Sequence, residues 1–264
     1  MNHRSSYWET GYFKKKNLRF VFPVNQPGLG DRFIMASNIL FTMKEVEHES
    51  CIVDIFLKNT KTVYKSQYLN LIDFYDIIDF FHFKRPDKSE PLIISNIIDE
   101  EPPPFHASTG HRNIEYEITN NEYKRSHNFL YNREQYWPIN YDKTIKKDII
   151  TFMFYVDDSL PEHKFITVEE EKEFQLLKTN LSSFNFHRLE DFNFKKNVEL
   201  LSRSKLLISS EGMWTHLSRA MDIDTITISR DSKFIKEFTR QGYFCSGIQE
   251  CLNELEKRCH ESQV

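Results

Sequence analysis

The chain lacks an excess of either charge, a cysteine motif, a long apolar run and an ordinary supply of small residues. With 35 Lys+Arg against 39 Asp+Glu, a formal charge of −4 and a pI near 6.2, it is excluded from wholesale coating of nucleic acid, which draws on clustered cations. A local basic face is not excluded. Cys51, Cys245, Cys251 and Cys259 show no CxxC spacing and no paired His, which argues against a zinc site and a disulfide framework. They read as buried thiols in a reducing cytoplasm, and no metal is expected. No run approaches the ~20 apolar residues of a membrane span, and the stretch up to Asn17 has no apolar core of a secretory leader. The expectation is a cytoplasmic protein without an integral membrane segment.

Glycine numbers 7 and alanine occurs only at Ala36, Ala107 and Ala220, while Phe numbers 23 and Tyr 12. That bias follows an AT-rich coding source and says little about chemistry. Internal repeats are absent, and the only low-complexity tract is a short proline run. The 264 residues can bury the core of one large domain or two small ones.

Short apolar runs recur along the chain. "LRFVFPV" at 18–24 reads as a buried strand, after which Ala36, Ile39, Leu40 and Met43 follow helical spacing. "CIVDIFL" at 51–57 and "PLIISNII" at 91–98 read as further strands, with a mixed, helical stretch, "VYKSQYLNLIDFYDII", between them. Alternating strands and helices imply a parallel sheet covered on both faces. From 99 to 147 the pattern breaks around "DEEPPPFHASTGH", whose consecutive prolines remove donors and fix φ, so an irregular insertion is expected. The alternation restarts with "DIITFMFYV" at 148–156, an amphipathic segment near 169–180, helix "KKNVELLSRS", strand "KLLISS", helix "THLSRAM" and strand "TITIS". In the tail, Ile248, Cys251, Leu252, Leu255 and Cys259 fall on one helical face that needs a partner surface. The boundary is placed at 145, giving domains 1–145 and 146–264.

Two glycine turns carry the chemistry. "NQPGLGDRF" is not a dinucleotide fingerprint, because Phe33 occupies the third glycine position of G-x-G-x-x-G counted from Gly28, and the Walker Lys and Ser/Thr are absent. Its Gly30 clears space for a close approach to backbone. Asp31 has two readings: an N-cap accepting from the amides of Phe33 or Ile34, worth ~1 kcal/mol, or a general base at the carboxyl edge of the sheet. The second turn, in "LLISSEGMWTHLSRAMDIDTITIS", places Ser210, Glu211, Gly212, Met213, Trp214, Thr215 and His216 around a helix start. Such an end can hold a diphosphate through main-chain amides, with Thr215 and His216 adding donors. In the plainer reading Ser210 or Thr215 is a cap and His216 a packed core histidine. Asp222-Ile223-Asp224 and Asp157-Asp158 resemble metal-binding DxD strings, but the former falls between a helix and a strand and reads as a turn.

Together, "GLGDRFIMASNIL" and "LLISSEGMWTHLSRAMDIDTITIS" resemble the signature regions of the heptosyltransferase-like GT-B glycosyltransferases. That resemblance implies an α/β chain of two Rossmann-like domains whose parallel sheets face a central cleft, the first on the acceptor side and the second binding a nucleotide sugar. It implies Asp31 as catalytic base in direct, inverting, metal-independent displacement, and Gly30 with the turn from Ser210 to His216 as donor-binding residues. By position alone it adds Lys164 to the donor phosphates. The donor is expected to be UDP-linked, with no further cofactor. The sequence departs from the family in having Glu211 where Asp is usual, one extra residue between the glycine and His216, and "LSRAM" where small residues are usual.

For the acceptor, Asn121–Lys147 interleaves Lys124, Arg125, Arg133, Lys143, Lys146 and Lys147 with Tyr123, Phe129, Tyr131, Tyr136 and Trp137, a composition able to track a backbone and stack bases. A solvated insertion with tucked aromatics has the same composition. Arg32, Arg133 and Trp137 are the acceptor-side candidates. In outline the chain is similar to phage enzymes that glycosylate hydroxymethylated pyrimidines in DNA, which implies a flipped base as acceptor. A surface saccharide is the alternative acceptor. A sugar-nucleotide epimerase or hydrolase and a non-catalytic nucleotide-binding protein are the alternative functions.

Overall fold

A computed structural model describes residues 16–23, 29–45, 48–56, 73–87, 92–98, 113–118, 122–127, 136–145, 147–156, 166–190, 193–230 and 242–261. The chain divides into two compact units, Met1–Asn140 and Tyr141–Val264, a break a few residues before position 145. Both units are α/β with parallel strands.

In the first unit, β1 (Lys16–Pro23), β2 (His48–Phe56) and β3 (Ile93–Ile98) are the apolar runs read from sequence, and they pair in parallel. β1 leads into α1 (Leu29–Glu45), and α2 (Phe74–Phe80) precedes β3; the rest of the stretch read as helical before α2 lies outside the described residues. Two further strands, β4 (Asn113–Ile118) and β5 (Glu122–His127), were not anticipated. They run antiparallel and extend the sheet to the order β3-β2-β1-β4-β5. This corrects both the irregular insertion over 99–147 and the wholly parallel sheet. The local reason is legible: "NIEYEI" alternates apolar and polar residues at the strand period, and the register sets Glu115 opposite Arg125.

Every residue of α1 from Arg32 to Leu40 is buried, far more than the single face expected of Ala36, Ile39, Leu40 and Met43. A short antiparallel bridge, Phe83 with Ile139, accounts for the second covered side. Lys84 N donates to Pro138 O at 2.7 Å and Asn140 N to His82 O at 2.6 Å. From this strip Phe83 stacks on Phe33 at 4.8 Å, Tyr136 reaches Phe33 at 5.4 Å, and Trp137 meets Phe41 at 5.3 Å. The end of the supposed insertion is thus a cover packed on α1.

The second unit comprises β6 (Ile149–Met153), α3 (Val168–Asn180), β7 (Phe186–Arg188), α4 (Phe194–Ser202), β8 (Ser204–Ser210), α5 (Met213–Ala220), β9 (Asp224–Ile228), β10 (Tyr243–Cys245) and α6 (Ile248–Glu261). All five strands are parallel, in the order β7-β6-β8-β9-β10. Strand alternation sends Ile150, Phe152, Leu206, Ile208, Ile226 and Ile228 to one face, where Phe174 and Leu177 of α3 and the predicted stripe of α6 complete a core. All five stripe residues, Ile248 to Cys259, are buried there. The other face, under α4 and α5, carries buried hydroxyls: Ser204 Oγ donates to Thr151 Oγ1 at 3.0 Å, whereas the buried Thr225 and Thr227 hydroxyls have no hydrogen-bond partner among the described residues. Thr167 opens α3 with a capping box, its hydroxyl accepting from Glu170 N at 3.1 Å while Glu170 accepts from Thr167 N at 2.7 Å.

The segment 141–147 is fastened to the α5–β9 turn. Tyr141 Oη donates to Met221 O, Lys143 Nζ meets the Asp222 carboxylate at 2.9 Å, and Lys147 Nζ donates to Asp222 O at 3.2 Å. Asp222 has φ 54°, the left-handed conformation of a turn, which agrees with reading it as a corner and not a metal string. Among the described residues no group of His, Cys, Asp and Glu could hold a metal. No described helix is long and apolar enough to cross a membrane. All four cysteines are free and buried, as expected.

Candidate functional site

The second sheet dictates where a ligand can enter. From β6 the chain turns to β7 on one side, and from β8 it turns to β9 on the other. Connections that leave two neighbouring strands in opposite directions open a crevice at their carboxyl ends, where open α/β sheets take ligands. The residues reaching that switch point are Phe154 and Tyr155 after β6, and Glu211 and Gly212 after β8. The predicted Ser-Glu-Gly turn therefore stands at the one place this topology favours.

The crevice is braced through main chain. Tyr155 N donates to Ser210 Oγ at 3.3 Å, tying the ends of β6 and β8 together, and Ile166 N donates to Tyr155 O at 2.8 Å. Glu211 N donates to Ile228 O at 3.1 Å, which anchors the turn to β9. Gly212 has φ 165° and ψ −169°, extended backbone open to any residue, so its lack of a side chain answers to space. A Cβ at Gly212 would stand 3.3 Å from both Cε2 and Oη of Tyr155. The phenol ring lies against the glycine at the start of α5.

α5 begins here without a side-chain cap. Asp73, Thr167 and Asn193 cap α2, α3 and α4. An uncapped first turn carries partial positive charge, suited to an anion, and the nearby half-buried surface belongs to Tyr155, Glu211 and Gly212.

Other residues of the predicted constellation face inward. Thr215 is fully buried, its hydroxyl 3.0 Å from Ser209 Oγ, and its burial keeps it from a phosphate at the surface of the turn. His216 is 7% exposed, packed as the plainer reading held. Met213 and Trp214 are buried, the indole stacking on Phe194 at 5.6 Å, and Ser210 spends its oxygen on Tyr155. Tyr155 was missed because it continues the apolar run "DIITFMFYV"; only the strand order separates it from the core.

In the first unit, α1 starts at Leu29, so Gly30 and Asp31 occupy its first turn, after the carboxyl end of β1. Asp31 is the third helical residue, which overturns the N-cap reading; its side chain lies outside the described residues, as do Arg133 and Lys164. Arg32 is 2% exposed, removed from any surface contact with an acceptor. Trp137 is likewise corrected: its N donates to Ser37 Oγ at 2.7 Å, its Nε1 to Lys84 O at 2.8 Å, and the buried ring has no face open to a base. Sequence reading also passed over Asp54, a buried carboxylate near the carboxyl end of β2 that accepts from Asn96 Nδ2 at 3.2 Å. Its only signal was an acid inside "CIVDIFL".

No family model matches the sequence, and no curated protein matches it. Among solved structures the chain is similar to the bacterial iron-containing dodecameric glycosyltransferase TibC from enterotoxigenic E. coli, at 10% identity and a TM-score of 0.45. The match covers 81% of this chain and 58% of that one, so the chain spans little more than half that protein's length.

Proposed function

We propose that the protein is a glycosyltransferase that binds a nucleoside-diphosphate sugar in its second unit and transfers the sugar to an acceptor hydroxyl. The observation that carries the donor half is the coincidence of the β6/β8 switch point with the uncapped start of α5 at Gly212. A diphosphate there would meet main-chain amides, with the Tyr155 ring alongside. The signature resemblance adds the rest: a GT-B arrangement, Asp31 as base, and inverting displacement without a metal. In that step the acceptor oxygen, losing its proton to the Asp31 carboxylate, attacks the anomeric carbon as the bond to the diphosphate breaks. Asp31 is supported by its position at the carboxyl end of β1, in the first turn of α1.

The basic and aromatic segment gives the DNA acceptor less support than its composition suggested. Trp137 is core, and Lys143 and Lys147 are held at Asp222. A saccharide hydroxyl is therefore the second acceptor reading. The test is incubation with a panel of sugar nucleotides and either hydroxymethylated DNA or oligosaccharides, with a mass shift read in the digested nucleosides or the glycans. Nucleoside diphosphate should bind, and Asp31→Asn should keep that binding while losing about 10²–10⁴-fold in transfer. Undiminished transfer by a folded Asp31→Asn protein removes the base assignment, and sugar-nucleotide turnover with no acceptor present identifies a hydrolase or epimerase instead.

A further inference from the structure

At the opposite edge of the second sheet lies a cavity of about 510 Å³, within the range of small-molecule sites. It is bounded by the amino-terminal ends of β6, β8 and β9 and by the last turns of α6. Ile150 and Leu206 form a buried apolar floor, and Phe184 adds a half-buried ring.

The charges around it sort into two groups. Arg258 Nε meets Glu254 at 2.7 Å, and Asp224 is approached by Arg258 at 3.7 Å and by Arg219 at 3.9 Å. Those two cations and two anions neutralise one another. Lys205 and Glu261 remain, both lining the cavity, and among the described residues neither meets an opposite charge nor the other. The Lys205 ammonium lies 4.6 Å from the Phe184 ring centroid, a cation–π contact that favours this position.

A cavity with an apolar floor and two separate, uncompensated charges of opposite sign complements a ligand carrying both charges on a small apolar body. We propose that this cavity binds a free aliphatic α-amino acid, its carboxylate on Lys205, its ammonium on Glu261 and its side chain on Ile150 and Leu206. A simple anion would leave Glu261 uncompensated beside it, and a simple cation would do the same to Lys205. The site is separate from the switch-point crevice and does not depend on the transferase reading.

The test is titration of the full chain with leucine by calorimetry, beside 4-methylpentanoate, which lacks the ammonium, and 3-methylbutylamine, which lacks the carboxylate. Leucine should bind saturably, and each analogue should bind at least about tenfold more weakly. Lys205→Met, which keeps the stem on Phe184, and Glu261→Gln should each weaken leucine by about tenfold or more at an unchanged melting temperature. If Lys205→Met does not fold, Lys205→Gln replaces it. Absence of saturable leucine binding, an analogue that matches leucine, or a folded variant that binds it as the parent does overturns the proposal.

Discussion

Gly212 and Tyr155 form a steric pair. Because Gly212 is extended at φ 165°, replacing it strains no backbone, and the whole effect of a side chain falls on the Tyr155 ring 3.3 Å away. Gly212→Ala asks the ring to yield by a few tenths of an ångström, whereas Gly212→Val must displace it, at about 1–3 kcal/mol. Under the donor-site reading, Gly212→Val should weaken nucleoside-diphosphate binding about tenfold, and adding Tyr155→Ala should recover part of the loss. Equal affinity in parent and Gly212→Val, measured by calorimetry, would mean that no diphosphate lies against this turn.

The cysteines make a second residue-scale case. Burial pushes the Cys51 thiol far above its ordinary value of 9.0, and raises Cys259 as well; Cys251 is raised first by a thiol–thiol hydrogen bond with Cys245 and then by burial. A thiol whose folded pKa exceeds its unfolded one contributes stability that is whole below the unfolded value and is lost as pH rises above it. Unfolding free energy should therefore fall above about pH 9. At pH 8 the native protein should leave its four thiols inert to a chromogenic disulfide until denaturant is added. Prompt reaction without denaturant would contradict their burial.

Among the elements, α6 is the clearest success of periodicity. One apolar stripe of five residues predicted a docked helix, and the core of the second unit holds all five. Leu255 is fully buried at its centre, so Leu255→Ala should cost about 2–5 kcal/mol in denaturant unfolding. A loss under 1 kcal/mol would place the helix elsewhere. The runs that became β1, β2, β3, β6, β8 and β9 were legible because each is short, rich in apolar and β-branched residues and bounded by polar segments. β4 and β5 were obscured by the neighbouring prolines and by their own polarity, although "NIEYEI" alternates with period two. The cover on α1 was not legible, since the Phe83–Ile139 bridge joins segments far apart in sequence. Of the candidate site, the Ser-Glu-Gly turn was readable, but which side chains face outward was not. An eight-residue helix with buried Met213, Trp214, Thr215 and His216 is covered on nearly every side, and helical spacing alone cannot show that.

At the scale of the whole molecule, the two units differ in how they are built. The first is a mixed sheet with a helix enclosed on two sides, and the second is a five-stranded parallel sheet with its own core and a helix layer on each face. The second begins at Tyr141, and its opening segment is already bound to Met221 and Asp222 of the same unit. Its length lies within the usual range for an independent domain. Residues 141–264 expressed alone should therefore unfold in one cooperative transition. If the donor lies wholly at the β6/β8 switch point, they should bind nucleoside diphosphate with an affinity within about threefold of the full chain, less than 1 kcal/mol apart. The same fragment should transfer no sugar, because the proposed base, Asp31, belongs to the first unit. A folded fragment that has lost diphosphate binding would assign part of the donor site to the first unit, and one that still transfers sugar would exclude Asp31 as the base.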